Sequence, residues 1–168
     1  DTIICSGTFP SIGGPTTAGY TYSWSPGVGL NNTAVSNPTV LLTNTTGTPL
    51  VSDYIVTATA NGCTVTDTVT VTVNAIPLSY AGTDVSYCSG STVSIGTTSA
   101  PGFSYSWSPT AGISSSAISN PTVTLTNTSL TPLTTDFIVT TTVNNCSSTD
   151  TVTVTVNAMP VSIASADI

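Results

Sequence analysis

The sequence predicts an all-β protein built as two tandem β-sandwich domains. Three observations carry this. Residues 1–83 recur as residues 84–166 without a gap, and 47 of the 83 aligned positions are identical. Threonine alternates with valine in runs of period two, as on a strand with one face in a core. Gly, Asn and Pro clusters punctuate the chain at about 8–12-residue intervals, the spacing of short sandwich strands. Apolar residues at a 3.6-residue period with charged caps, the mark of helices, are missing.

The elements follow in order along one repeat. Thr2–Cys5 is a short opening strand. Ser91–Ile95 of the second repeat is another short candidate. Gly19–Ser25 (GYTYSWS) alternates aromatic and small residues before the turn Pro26-Gly27. Pro38–Asn44 (PTVLLTN) reads as a strand after the breaker Asn37-Pro38. Asp53–Ala60 and Thr64–Val73 are the clearest pair, joined by Asn61-Gly62, a strong hairpin signal. In the second of them Val65, Val69, Val71 and Val73 share one face and the threonines the other. Asp67 interrupts the Val face, which places it near the strand's open end. The second repeat keeps the pattern over Thr149–Val156, with Asn144-Asn145 at the turn. Residues Asn74–Thr83 read as the join between repeats, stiffened by Pro77 and, one period later, Pro160. The domains are therefore expected at 1–83 and 84–166, with Asp167 and Ile168 opening a third repeat.

Composition narrows the function. The chain has no Lys, Arg or His, and its seven acidic residues give a net charge of −7. Nothing can neutralise phosphate, so nucleic acid is not an expected partner. Anionic lipid heads are excluded for the same reason, and no apolar run of about 18 residues offers a membrane span. A mean hydropathy of +0.34 with 4% charged residues argues for a packed fold over disorder. Without lysine or arginine the chain has no trypsin-like cleavage site, and without lysine it has no means of forming a Lys–Asn isopeptide staple.

Four cysteines, two per repeat, indicate an oxidising, extracellular compartment. The expectation is one disulfide inside each domain, Cys5–Cys63 and Cys88–Cys146, each stabilising its domain by roughly 4 kcal/mol. The rival is a Cys63–Cys88 staple across the join, leaving Cys5 and Cys146 for neighbouring units. A Cys early, a Trp on a middle strand and a Cys late give an immunoglobulin-like order. Trp24 and Trp107 are then core residues packed on a disulfide rather than sugar-stacking platforms. Tyr54 and Phe137 are core by the same pattern.

The string YSWSP, a Gly-containing loop, SNPTV, then DYIVTATANGCTVTDTVTVTVN and a Pro resembles a known repeat. It is similar to the Ig-like (PKD-like) repeat of large surface and secreted proteins of Bacteroidota, commonly exported by the type IX route. The resemblance covers Cys5–Pro77 and Cys88–Pro160. The second copy departs at NNCSSTD, where Asn145 and Ser148 replace Gly62 and Val65. Such a family implies cell-surface adhesins, gliding-motility adhesins or spacers beside enzyme domains. It also implies a short Asp-Thr-aliphatic pattern resembling the group's O-glycosylation acceptor, here at Thr2, Thr68 and Thr151.

Chemistry fares poorly beside these scaffold readings. A nucleophile needs a neighbouring base, and neither His nor Lys is present. Asp53 and Asp67 recur one period later, as structural residues would. No catalytic residues, cofactor or enzyme activity are expected. Calcium near Asp1 and Asp84, at the joints, is a weak alternative, since such a site needs six to eight oxygens. The sequence reads as a structural repeat of a long extracellular filament or adhesin stalk, extending from a cell surface. Its expected partners are neighbouring repeats, copies of itself, or surface glycans. The alternatives are a carbohydrate-binding module and spacer domains of a secreted enzyme. If Thr68 and Thr151 carry sugar, the intact mass of native material will exceed the 16.8 kDa of the bare chain; equality of the two rejects glycosylation.

Overall fold

The computed structural model describes residues 1–160. The repeat expected to open at Asp167 lies outside them. The chain divides into two compact units. The first comprises Asp1–Ile76 with Asn144–Cys146, the second Pro77–Val143 with the rest of the chain from Ser147. The break thus falls at Pro77, ahead of the point where the sequence repeat restarts at Asp84.

Both units are immunoglobulin-like β-sandwiches without helices among the described residues. In the first, β1 (Thr2–Cys5), β2 (Thr21–Ser25), β3 (Leu50–Ala60) and β4 (Cys63–Asn74) form one sheet in the order β1-β4-β3-β2. β3 and β4 make an antiparallel hairpin, with Leu50 opposite Val73 and Ala60 opposite Cys63. Its turn works because Asn61 and Gly62 both take positive φ, 50° and 77°, which the right-handed strand twist favours. β1 instead pairs parallel with the far end of β4, from Thr2 opposite Val71 to Cys5 opposite Asn74.

The second unit repeats this sheet with β5 (Val85–Cys88), β7 (Ser104–Ser108), β9 (Leu133–Val143) and β10 (Cys146–Asn157) in the order β5-β10-β9-β7. Its opposing layer holds β6 (Thr92–Ser94) paired with β8 (Thr122–Thr124). In the first unit this layer shrinks to two isolated bridges, Ser11 to Thr39 and Leu30 to Val40. The strand expected over Pro38–Asn44 is therefore not continuous. Pro10 stands where the second repeat has Val93, the centre of β6. Proline has no N–H to give to a ladder, so only the Ser11 bridge survives on that side.

Each sandwich closes over its own core. In the first, Ile4, Ile12, Trp24, Val40, Tyr54, Val71 and Val73 are buried together. In the second, Ile95, Trp107, Val123, Phe137, Val139, Val152, Val154 and Val156 are, with Ala81 added. The indole N–H groups of Trp24 and Trp107 donate to the Val35 and Ile118 carbonyls at 2.8 and 2.9 Å. Burial pushes the Tyr54 phenol above its ordinary pKa, and its hydroxyl donates to the Val28 carbonyl at 2.8 Å. Ser25–Pro26 and Ser108–Pro109 are cis.

A buried asparagine ties the layers of each unit. Asn44 donates from Nδ2 to the Thr48 and Val73 carbonyls at 2.8 and 2.7 Å. Its Oδ1 accepts from the Thr46 N–H and hydroxyl, both at 2.8 Å. Its own N–H donates to Ser6 Oγ at 2.9 Å. Asn127 makes the same set with Thr131, Val156, Ser129 and Ser89.

The expected disulfides are overturned. Cys5 is bonded to Cys146, with Cα atoms 5.5 Å apart, while Cys63 and Cys88 are free and exposed. The rival Cys63–Cys88 staple is not formed either. Strand register explains why a bond inside one repeat cannot form. Cys5 lies opposite Asn74 and Cys63 opposite Ala60, at the two ends of the 12-residue β4. Eleven residues of strand separate them by roughly 36 Å, and a disulfide tolerates Cα separations of only about 4.4–6.8 Å. Cys88, opposite Asn157, and Cys146 stand at the two ends of β10 in the same way. The observed bond spans 141 positions, for which the chain-entropy model gives a stabilisation of about 5 kcal/mol.

Two outcomes follow. Non-reducing peptide mapping of the isolated monomer should return a Cys5–Cys146 peptide, with Cys63 and Cys88 open to alkylation; a Cys5–Cys63 peptide would contradict this register. Asn44→Ala, which strands the Thr48 and Val73 carbonyls, should cost about 1–3 kcal/mol in denaturant unfolding, with Asn127→Ala equivalent.

Candidate functional site: an open groove on the first unit

In the second unit the segment following Pro77 behaves as an additional strap. It alternates like a strand: Pro77, Ser79 and Ala81 are buried while Leu78 and Tyr80 face out. The Ala81 N–H donates to Asp150 Oδ2, and the Ala81 carbonyl accepts from the Gly96 N–H, both at 2.8 Å. Ser148 Oγ donates to the Pro77 carbonyl at 2.6 Å and lies 2.7 Å from Ser79 Oγ. The Ala81 side chain completes the core.

The first unit carries the same seat without an occupant among the described residues. There a groove of about 380 Å³ is lined by Gly13, Trp24, Val56, Ala58, Asp67 and Val69, among others. One period on, these are Gly96, Trp107, Val139, Thr141, Asp150 and Val152. Val139, Thr141 and Val152 are at most 2% exposed, whereas Val56, Ala58 and Val69 are only half-buried. The difference continues along the strand. Val65 is 64% exposed, while its counterpart Ser148 is half-buried. Gly13, at φ +82°, can be nothing larger, because a Cβ there would collide with the Ser36 carbonyl and the Trp24 ring.

The acidic residues serve the backbone. Asp1 and Asp84 accept the N–H groups of Thr70 and Thr153 at 3.1 and 2.8 Å. Asp53 and Asp136 accept the hydroxyls of the same two threonines at 2.7 and 2.8 Å. Each threonine is thereby held by two carboxylates. Asp67, without a strap, accepts from its neighbour's N–H on Thr68 at 2.9 Å. Among the described residues no three His, Cys, Asp or Glu side chains gather as a metal would require. Trp24 and Trp107 offer no platform to a sugar, being 4% and 2% exposed. Of the threonines in the Asp-Thr-aliphatic pattern, Thr68 and Thr151 are exposed and Thr2 is half-buried. Thr68 stands at the groove itself.

The groove's one trace in the sequence is that residues 77–81 and 160–164 agree at Pro, Ser and Ala in alternate positions.

No family model matches the chain, and no curated protein matches it. Many solved structures are similar to it. A chimeric titin Z1Z2-Z1Z2 tandem is 12% identical with a TM-score of 0.40, over 94% of this chain and 95% of that one. The titin I-band fragment I67–I69 is 13% identical with a TM-score of 0.43, and the match covers 94% of this chain and 62% of the fragment. Domains 4 and 5 of the S-layer protein SbsC are 18% identical with a TM-score of 0.28, over 85% and 72% of the two chains. At these scores the likenesses bear on no question of function.

The two carboxylates of the seat should behave differently. Asp150→Ala leaves the Ala81 N–H without its acceptor and should cost about 1–3 kcal/mol. Asp67→Ala should stay within about 0.5 kcal/mol of the parent. Paired urea titrations read both; equal costs would mean that the strap contact does not matter.

Proposed function

We propose that this chain is a structural segment of a long extracellular filament or adhesin stalk, with no catalytic role. The observation that carries the reading is the Cys5–Cys146 bond. It links the first strand of one sequence repeat to the last hairpin of the next, so consecutive repeats are covalently joined twice, by backbone and by disulfide. Such a bond persists in an oxidising space outside the cell. Architectures of stacked repeats gain reach by adding units, and their chemistry is usually carried elsewhere. Asp1, Asp84 and Asp150 accept backbone N–H groups, Asp53 and Asp136 accept threonine hydroxyls, and Trp24, Trp107, Tyr54 and Phe137 lie in the cores. The repeat's resemblance to Bacteroidota surface proteins supports a surface location and export by the type IX route. Surface glycans are the targets such a stalk would present to.

Imaging of the native particle tests this. A thin fibre with a bead every 35–40 Å or so is expected, from a strand of about 33 Å plus loops. A compact two-bead monomer that binds polysaccharide in a pull-down would overturn it in favour of a carbohydrate-binding module.

A further inference from the structure

We infer that the groove and hairpin tip of the first unit are a docking surface for a second copy of this chain. Residues 160–166 of that copy would lie in the groove, and its Cys88 would be bonded to Cys63. This deepens the filament reading and rests on it, by specifying the joint.

Translation by one period relates this joint to the one inside the chain. The chain contains one complete joint: the strap Pro77–Thr83 on the second unit's seat, and the bond from Cys5 to Cys146. Every component of a second joint is also present, divided between the chain's two units. The seat is the first unit's groove, with Gly13 and Asp67 in the places of Gly96 and Asp150. The strap is residues 160–166, PVSIASA against PLSYAGT, with Pro160, Ser162 and Ala164 in the places of Pro77, Ser79 and Ala81. The thiols are Cys88, the counterpart of Cys5, and Cys63, the counterpart of Cys146; both are free and exposed. A further group waits on the same side. Asn74 Nδ2 donates to the Asn144 carbonyl at the bonded hairpin turn, at 3.0 Å. Its counterpart Asn157 turns instead to Ser86 Oγ at 2.9 Å.

The fit has two local differences. Val65 replaces Ser148, so the hydroxyl contacts to Pro77 and Ser79 give way to cover for an exposed valine. Ser165 replaces Gly82, whose φ is +98°. A side chain is disfavoured there, so this joint is weaker than the internal one. The bond forms by exchange with a disulfide oxidant. Glutathione disulfide takes two electrons and two protons from the Cys63 and Cys88 thiols and leaves as two glutathione thiols. Because the two surfaces differ, the contact is head-to-tail and does not exhaust itself in a dimer.

The test uses the 168-residue chain in a glutathione redox buffer. Cys63→Ser and Cys88→Ser variants, each keeping its Cys5–Cys146 peptide as a check of folding, are incubated alone and mixed. The mixture is expected to give a covalent dimer containing a Cys63–Cys88 peptide, and each variant alone to stay monomeric. Adding Ala164→Asp to the Cys63→Ser chain, which donates the strap, should cut dimer formation at least tenfold. Ser165→Gly in that chain should raise it several-fold. Dimers formed equally by single variants, a Cys63–Cys88 bond within one wild-type monomer, or indifference to Ala164→Asp would each overturn the docking. A fibre seen in native material alongside any of these would leave the filament reading standing and remove only this joint.

Discussion

The parallel pairing of a four-residue edge strand with the last residues of β4 governs much of this molecule. It holds Cys5 beside Asn74 and leaves Cys63 a full strand length away. Once that register is set, no cysteine pair within a repeat can close. Two carboxylates help to hold the register, because Asp1 takes the Thr70 N–H and Asp53 takes the same residue's hydroxyl. The same pair of contacts secures the second unit through Asp84, Asp136 and Thr153. Exposed carboxylate contacts of this kind are individually modest. Their importance lies in fixing position: a slip of one residue would turn the inward face of the edge strand outward.

The rest of each sandwich depends on close approaches that small or amide residues permit. Gly13 and Gly96 let the backbone pass against a Trp ring and a Ser carbonyl. Asn44 and Asn127 satisfy carbonyls at the end of the return strand that would otherwise be buried without partners. A chain with few charges relies on these amides and hydroxyls for specificity, since apolar cores of Val and Ile alone would tolerate several packings.

Much of the fold was legible because its signals are local. Alternation of Thr and Val marked the hairpin, and Asn61-Gly62 marked its turn. The in-register Trp24 and Trp107 pointed inward. What escaped was non-local. Parallel pairing leaves no pattern in sequence, so repeat membership points to cysteine partners other than the Cys5–Cys146 pair of the structure. Pro10 was visible, but its effect on the layer opposite appears only when Val93 is seen at the centre of β6. The seat on the first unit was hidden for another reason. A groove is defined by what fills its counterpart, and the segment after Pro77 had read as a connector rather than as part of a core.

The covalent short-cut between Cys5 and Cys146 also changes what happens under tension. A pull applied at the ends of the chain enters at residue 5 and leaves through residue 146 without crossing the loop between them. Residues 6–145, which include both tryptophans, stay off the covalent load path while the bond is intact, whereas Ile4 of the first core and Val152, Val154 and Val156 of the second lie on it. The length so withheld, for a separation of 141 positions, is on the order of 480 Å of extended chain. Reduction of one bond would therefore release that length to an applied pull.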